Sequence, residues 1–182
     1  MAKVVIYMEI VVAKLEDLNR IKEIYKKIIK NMYDNDIKIW NEYYPNEVFE
    51  SDIEQGHLYL LKENNNILGA FVLYEHKDLE EGLEWSDCKA KSYLLNRVGV
   101  NVAYLHQGIG KKLIAEASKL AQKKGANYLR LLVSDINIPA INLYLKCNFK
   151  KVNGIHEEKI NDNFSINEYG FELILKQERD AI

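Results

Sequence analysis

Hydrophobic positions change their spacing along this chain, and the changes mark out its elements. Residues 3–13 are rich in Val and Ile and predict a strand. From Asp17 to Tyr33 the period becomes helical, with Leu18, Ile21, Ile24/Tyr25 and Ile28/Ile29 on one face. An aromatic segment follows, Trp40 and then Tyr43-Tyr44-Pro45-Asn46, with Asn46 placed to cap a short helix that runs to Gln55 and stops at Gly56. His57–Lys62 and Ile67–Glu75 read as strands, joined by Asn64-Asn65-Asn66. Asn tolerates positive φ, so this is a hairpin turn. Residues 76–90 are polar and irregular and predict a mobile loop. Leu94–Val102 is again a strand, and a helix then runs to Lys124, stopped by Gly125. Tyr128–Val133 predicts a strand. Pro139 falls in the first turn of the next helix, which ends near Cys147. Phe149–Glu157 and Glu168–Leu175 predict two last strands, joined through Asn161-Asp162-Asn163.

The resulting order, β-α-α-β-β-β-α-β-α-β-β, is an α/β chain with a mixed (α+β) sheet. No repeat or interdomain linker interrupts it, so residues 1–182 read as a single domain. Met8 is a second candidate start, which would make residues 1–7 an extension.

Composition narrows the function classes. A chain of 182 residues can bury a sizeable core without a disulfide or metal staple. Its 48% hydrophobic and 29% charged content is that of a globular domain. A net charge of −2 argues against general affinity for nucleic acid. Lysine supplies most of the 25 basic residues, so no single surface lysine carries much meaning. Cys88 and Cys147 form no CxxC pair, and His57, His76, His106 and His156 are scattered without metal-ligand spacing, so no metal site is expected. No apolar run approaches the ~18 residues of a membrane span, and the N-terminus shows no cleavage pattern of a signal peptide. The expected setting is cytoplasmic.

The most telling local feature is Gln107-Gly108-Ile109-Gly110-Lys111-Lys112, set between a strand and a helix. Glycines there let the backbone approach a ligand. The helix start presents unpaired N–H groups and the positive end of its dipole, which together suit a phosphate. A short Gly-x-Gly lacks the GxGxxG and GK[ST] spacings of nucleotide folds, and alone it is equally a plain tight turn. The second constellation lies one strand further on: Asn137, Ala140, Leu143-Tyr144 and Asn148-Phe149.

Together the two segments resemble motifs A and B of the GNAT superfamily of acyl-CoA-dependent N-acyltransferases. The family patterns R/Q-x-x-G-x-G/A and N-x-x-A-x-x-L-Y-x-x-x-G-F read here as Leu105-His106-Gln107-Gly108-Ile109-Gly110 and as Asn137 to Phe149. The detailed match covers roughly residues 94–153. Two positions depart from the pattern. Leu105 stands where the family has Arg or Gln, and Asn148 replaces the glycine after the second helix, a mild change because Asn also accepts a left-handed cap.

The resemblance implies a GNAT-like fold in which the strand before the glycine turn splays from the next one near a bulge. It implies acetyl-CoA as donor and a primary amine of a small molecule or peptide as acceptor, with a homodimer as the candidate assembly and no nucleic-acid or membrane partner. Backbone N–H groups of His106, Gln107, Gly108, Ile109, Gly110 and Lys111 would hold the pyrophosphate. Val98 and Val100 would bond the pantetheine arm and polarise the thioester carbonyl. Gly99 suits a bulge or a close approach, or is simply a harmless strand glycine. Asn137 would bond the cofactor, cap its helix, or both. Tyr144 would protonate the leaving thiolate; with reference pKa values of about 10 for phenol and about 8.5 for a thiol, that transfer is not strongly driven. Without the motif, Tyr144 would read as a packing residue. Trp40, Tyr43 and Tyr44 are candidates for the acceptor pocket or, equally, for core packing. Glu75 and His76 are candidate bases by location only. Cys147 has no activating partner in view. A rival reading is an acyl-CoA-binding regulatory module without transfer activity.

Overall fold

The computed structural model describes residues 7–77, 79–161 and 164–175. The chain forms two compact units: one comprises the residues up to Val72 with Arg97–Leu113, the other Leu73–Asn96 with the residues from Ile114 onward.

In the first unit, β1 (Met8–Val12) pairs antiparallel with β2 (Leu58–Glu63), and β2 with β3 (Asn66–His76), whose last residues run into the second unit. The hairpin turn is where the asparagines predicted it, with Asn64 at φ +53. Helix α1 (Leu18–Tyr33) buries Ile21, Tyr25 and Ile28, the stripe that the spacing predicts. Asp17, at its N-terminus, is ion-paired with Lys62 at 2.8 Å. Burial works against the Asp17 charge, but the Lys62 and Lys14 hydrogen bonds outweigh it and its pKa is lowered. Helix α2 is shorter than expected, Phe49–Glu54. Its N-cap is Val48, not Asn46, whose side-chain amide instead donates to the Glu42 carbonyl. The predicted stop does hold, with Gly56 at φ +69. The core of this unit is closed by Phe49, Ile53, Leu58, Leu60, Leu61 and Phe71.

The second unit holds β4 (Leu83–Glu84), the start of β5 (Ser92–Val100), most of α3 (Ile109–Lys123), β6 (Tyr128–Ser134), α4 (Ile138–Lys146), β7 (Lys150–Lys151), β8 (Asn153–Gly154), β9 (His156–Asn161) and β10 (Phe164–Ile174). β6 pairs parallel with β5 and antiparallel with β10, which also pairs with β7 and β9, so the sheet is mixed. Three expectations need correction. The strand predicted over 149–157 is broken into β7, β8 and the start of β9, with Gly154 at φ +95 in a very close approach to Gly82. The loop over 76–90 is not simply mobile: it carries β4, which pairs with β8, and it buries Trp85. The strand before the glycine turn ends at Val100, because Asn101 caps a short 3-10 turn through its side chain. Residues 1–6 of the first predicted strand and Asp162-Asn163 of the last turn lie outside the described residues.

Candidate active site

The glycine turn is built as a cradle. His106 and Gly108 both take left-handed conformations, at φ +63 and +77, and α3 begins at Ile109. A Cβ at Gly108 would meet nothing within 4 Å, so that face of the turn is open. The first-turn amides of Ile109, Gly110 and Lys111 have no helical acceptor. Among the described residues, none accepts from the amides of His106, Gln107 or Gly108 either. From His106 to Lys111 the chain thus presents a run of N–H groups at the start of α3. His106, Gln107, Gly108 and Lys111 are exposed, Gly110 is half-buried, and Ile109 is buried and anchors the helix start.

Before the turn, β5 carries a backbone irregularity. Within the second unit its pairing with β6 runs from Ser92/Tyr128 to Leu94/Arg130 and stops there. Arg97 then takes a left-handed conformation, φ +49. The β5 residue with the strained conformation is thus Arg97. Gly99 makes the close approach expected of it: a Cβ there would lie 2.7 Å from Cζ and Oη of Tyr25.

Positive φ is uncommon at a non-glycine residue, and here the side chain of Arg97 is clamped. Its Nε and Nη2 donate to the two carboxylate oxygens of Asp52 at 3.0 and 2.8 Å, and Nη1 donates to the Tyr44 hydroxyl at 3.3 Å. Burial disfavours the Arg97 charge, but Tyr44 and Asp52 outweigh it, and its pKa is raised. On the backbone side, the Tyr25 hydroxyl donates to the Arg97 carbonyl at 2.5 Å. Val98 and Val100 follow, both half-buried.

Of the aromatic residues predicted to line an acceptor pocket, Tyr44 holds Arg97, Trp40 packs on the Tyr25 ring at 5.7 Å, and Tyr43 is 67% exposed. Tyr25, Asp52 and Arg97 were not singled out by sequence. The available signal was Asp52 itself, an acidic residue at a core position of α2 between Phe49 and Ile53.

In the second unit, Asn137 caps α4, its side-chain oxygen accepting from the Ala140 amide at 3.3 Å. Asn148 ends the helix at φ +66, in the left-handed cap expected of it. Tyr144 lies on the inner face of α4, 7% exposed, its ring 5.8 Å from Phe149 and 6.4 Å from Phe171. Burial, and then the neighbouring Cys147, push its pKa well up, so the phenol stays protonated. His76 is turned inward, bonded to Glu80 at 2.9 Å and set edge-on to Trp85, while Glu75 is exposed. The buried centre of this unit is Arg130, fully enclosed, its guanidinium 4.8 Å from the Trp85 ring and 5.2 Å from Tyr128.

The family model described as Acetyltransferase (GNAT) family matches residues 20–149, more than half of the chain. The chain belongs to the GNAT acetyltransferase family. Solved GNAT-like structures share its fold. An acetyltransferase of the GNAT family from Listeria monocytogenes superposes with a TM-score of 0.69 at 18% identity, covering 96% of this chain and 99% of its own. A Salmonella typhimurium structure solved with its cofactor acetyl-CoA gives 0.66 at 17% identity, covering 94% and 96%. The Escherichia coli ribosomal-protein-S18-alanine N-acetyltransferase gives 0.65 at 17% identity, covering 97% and 99%. Among curated proteins, a thialysine N-epsilon-acetyltransferase of Bos taurus is 38% identical over 60 residues. That match spans 33% of this chain and 35% of the relative's length. No described helix of this GNAT member is long and apolar enough to cross a membrane.

Proposed function

We propose that residues 1–182 form one cytoplasmic N-acetyltransferase domain that moves an acetyl group directly from acetyl-CoA to a primary amine of a small molecule or peptide. The observation that carries this reading is the glycine turn, with its left-handed His106 and Gly108 and its run of available amides opening α3. A diphosphate suits such a cradle, since oriented N–H groups and a helix N-terminus both favour negative charge. Leu105 offers no charged or amide side chain, so the backbone from His106 to Lys111 supplies most of the grip. Asn137 uses its side-chain oxygen as a helix cap and keeps its N–H₂ for a ligand.

In this reading Val98 and Val100 bond the pantetheine arm through their main chains, and a β5 N–H faces the thioester carbonyl as its oxygen gains charge. The neutral amine attacks, the C–N bond forms, the C–S bond breaks, and the Tyr144 hydroxyl gives its proton to the departing sulfur; the proton that the nitrogen loses passes to water, and water returns one to Tyr144. The raised pKa of Tyr144 makes it a reluctant donor. Its help belongs at the low end of the ~10²–10⁴ range of general acid–base catalysis. Tyr144→Phe is therefore expected to lower turnover roughly a hundredfold with acetyl-CoA affinity nearly unchanged; unchanged turnover would remove the acid role.

A panel of primary amines read by release of CoA thiol tests the function as a whole. The names of the relatives suggest two arms, side-chain ε-amines of lysine-like amino acids and N-terminal alanine peptides. One observation favours a second reading, an acyl-CoA-binding module without transfer activity: Tyr144 is only 7% exposed and its ring packs near Phe149 and Phe171, as a core residue would. That reading predicts tight CoA binding with no thiol release across the panel.

A further inference from the structure

The Tyr25 hydroxyl meets the Arg97 carbonyl at 2.5 Å, and this contact sets the direction of the next N–H along the chain. A peptide unit is planar and trans, so the carbonyl of one residue and the N–H of the next point to opposite sides. The Arg97 carbonyl is turned toward α1, where Tyr25 receives it. The Val98 N–H, on the same peptide, is therefore turned away from α1. In a regular strand the carbonyl of one residue and the N–H of the next also point oppositely, but the ladder chooses which side each takes. At Arg97 the left-handed φ of +49 breaks that alternation, so something else has to choose.

Three further features serve the same end. Tyr25 is 1% exposed, fixed by the Phe49 ring at 4.6 Å and the Trp40 ring at 5.7 Å, so its hydroxyl has little freedom to wander. Gly99 has no side chain where one would press on the Tyr25 hydroxyl, at 2.7 Å. Asp52 and Tyr44 hold the Arg97 side chain, and so discourage Arg97 from relaxing into a regular strand conformation.

We infer that Tyr25 is a positioning residue for acetyl transfer: its hydroxyl, by holding the Arg97 carbonyl, aims the Val98 N–H at the thioester carbonyl. The inference rests on the acetyl-transfer reading above. It assigns Tyr25 no contact with substrate and no proton transfer.

The test replaces the hydroxyl and keeps the ring. In Tyr25→Phe, kcat is expected to fall on the order of 10–100-fold, the range of a mis-set oxyanion donor, while the Kd for CoA and the KM for acetyl-CoA stay within about twofold, because a mis-set donor weakens the transition state more than ground-state binding. The carbonyl stretch of bound acetyl-CoA, labelled with carbon-13 at the carbonyl and read by difference infrared spectroscopy, is expected to move back toward the frequency of the free thioester. Gly99→Ala provides a second variant, since its methyl group displaces the hydroxyl without removing it, and the same kcat loss and the same band shift are expected. A folded variant of either kind with wild-type kcat and a wild-type band overturns the inference. So does a Tyr25→Phe protein whose CoA affinity falls in step with kcat while the band stays put, which assigns Tyr25 to packing alone. If the wild-type protein neither binds acetyl-CoA nor shifts its carbonyl band, the acetyl-transfer reading fails as well, and the two failures are thereby told apart.

Discussion

Replacing Asp52 by alanine should cost far more than a surface acid would. Asp52 and Arg97 form a two-pronged pair, 3.0 and 2.8 Å, with each side chain only 10% exposed. Removing one partner of a buried pair leaves a cation without its counter-charge, at a cost of about 3–5 kcal/mol. Two features favour the lower end of that range: the slight exposure, and the Tyr44 hydroxyl that still faces Nη1. The expected loss is about 3 kcal/mol. For a chain of this length it lowers Tm by roughly 6–12 °C, and with an m-value of about 2 kcal/mol/M it moves the urea midpoint by roughly 1.5 M. Denaturant unfolding with a double-mutant cycle is the assay. Asp52→Ala/Arg97→Met removes both charges, so it should be less unstable than the sum of the single changes by about 2 kcal/mol or more. A loss below about 1 kcal/mol for Asp52→Ala, the level of an exposed pair, would refute the clamp.

Three other outcomes are expected. Arg130→Met should cost roughly 3–5 kcal/mol in urea unfolding, because it strips Glu172, Ser92 and the Asp87 carbonyl of their enclosed partner. Gly108→Ala forces a side chain into φ +77 and onto the open face of the turn; acetyl-CoA affinity by calorimetry should fall about tenfold, equal to about 1.4 kcal/mol, with Tm lowered by roughly 2–8 °C from the left-handed strain of about 1–2 kcal/mol. Burial, and then Glu158, raise the Glu168 pKa from 4.5 to about 7. The native state then binds more protons than the unfolded chain over that window, so stability should decline as pH rises from 4.5 toward 7, by up to about 1.4 kcal/mol per pH unit, and Glu168→Gln should flatten that slope. His156, whose pKa is raised by the Glu81 carbonyl and Glu158 against the opposing effect of burial, loses its contribution above 6.5 and acts in the same direction. Melting curves between pH 4.5 and 8 on both proteins check the sign.

Much of the fold could be read from spacing alone, for a physical reason. The stripe Ile21, Tyr25, Ile28 and the turn at Asn64 depend on a residue's own periodicity and on its own tolerance of positive φ. The misreadings came where tertiary partners decide. Asn46 looked like a cap, yet it lies three residues ahead of α2. The polar stretch after His76 looked unanchored, yet Trp85 in its middle is drawn under Arg130, which sits far ahead on β6. The same division holds at the site. The glycine turn and Asn137 are local signals and were legible. The Tyr25–Arg97–Asp52 arrangement joins residues 45 and 72 positions apart, and no single-residue preference encodes it. A polar residue on an otherwise apolar helix face, as Asp52 is, was the trace it left in the sequence.

The heavy bias toward lysine throws the arginines into relief. Arg97 meets a carboxylate through a planar fork, and Arg130 holds its guanidinium over the rings of Trp85 and Tyr128 while Nη1 and Nη2 reach a hydroxyl and a main-chain oxygen. An ammonium can reproduce neither arrangement, since it has no plane to stack and cannot grip both carboxylate oxygens at a fixed angle. A single G-to-A transition turns an AGA codon into one for lysine. At these two places an exchange of arginine for lysine would break an interior joint that the bulk of this chain's lysines never have to make.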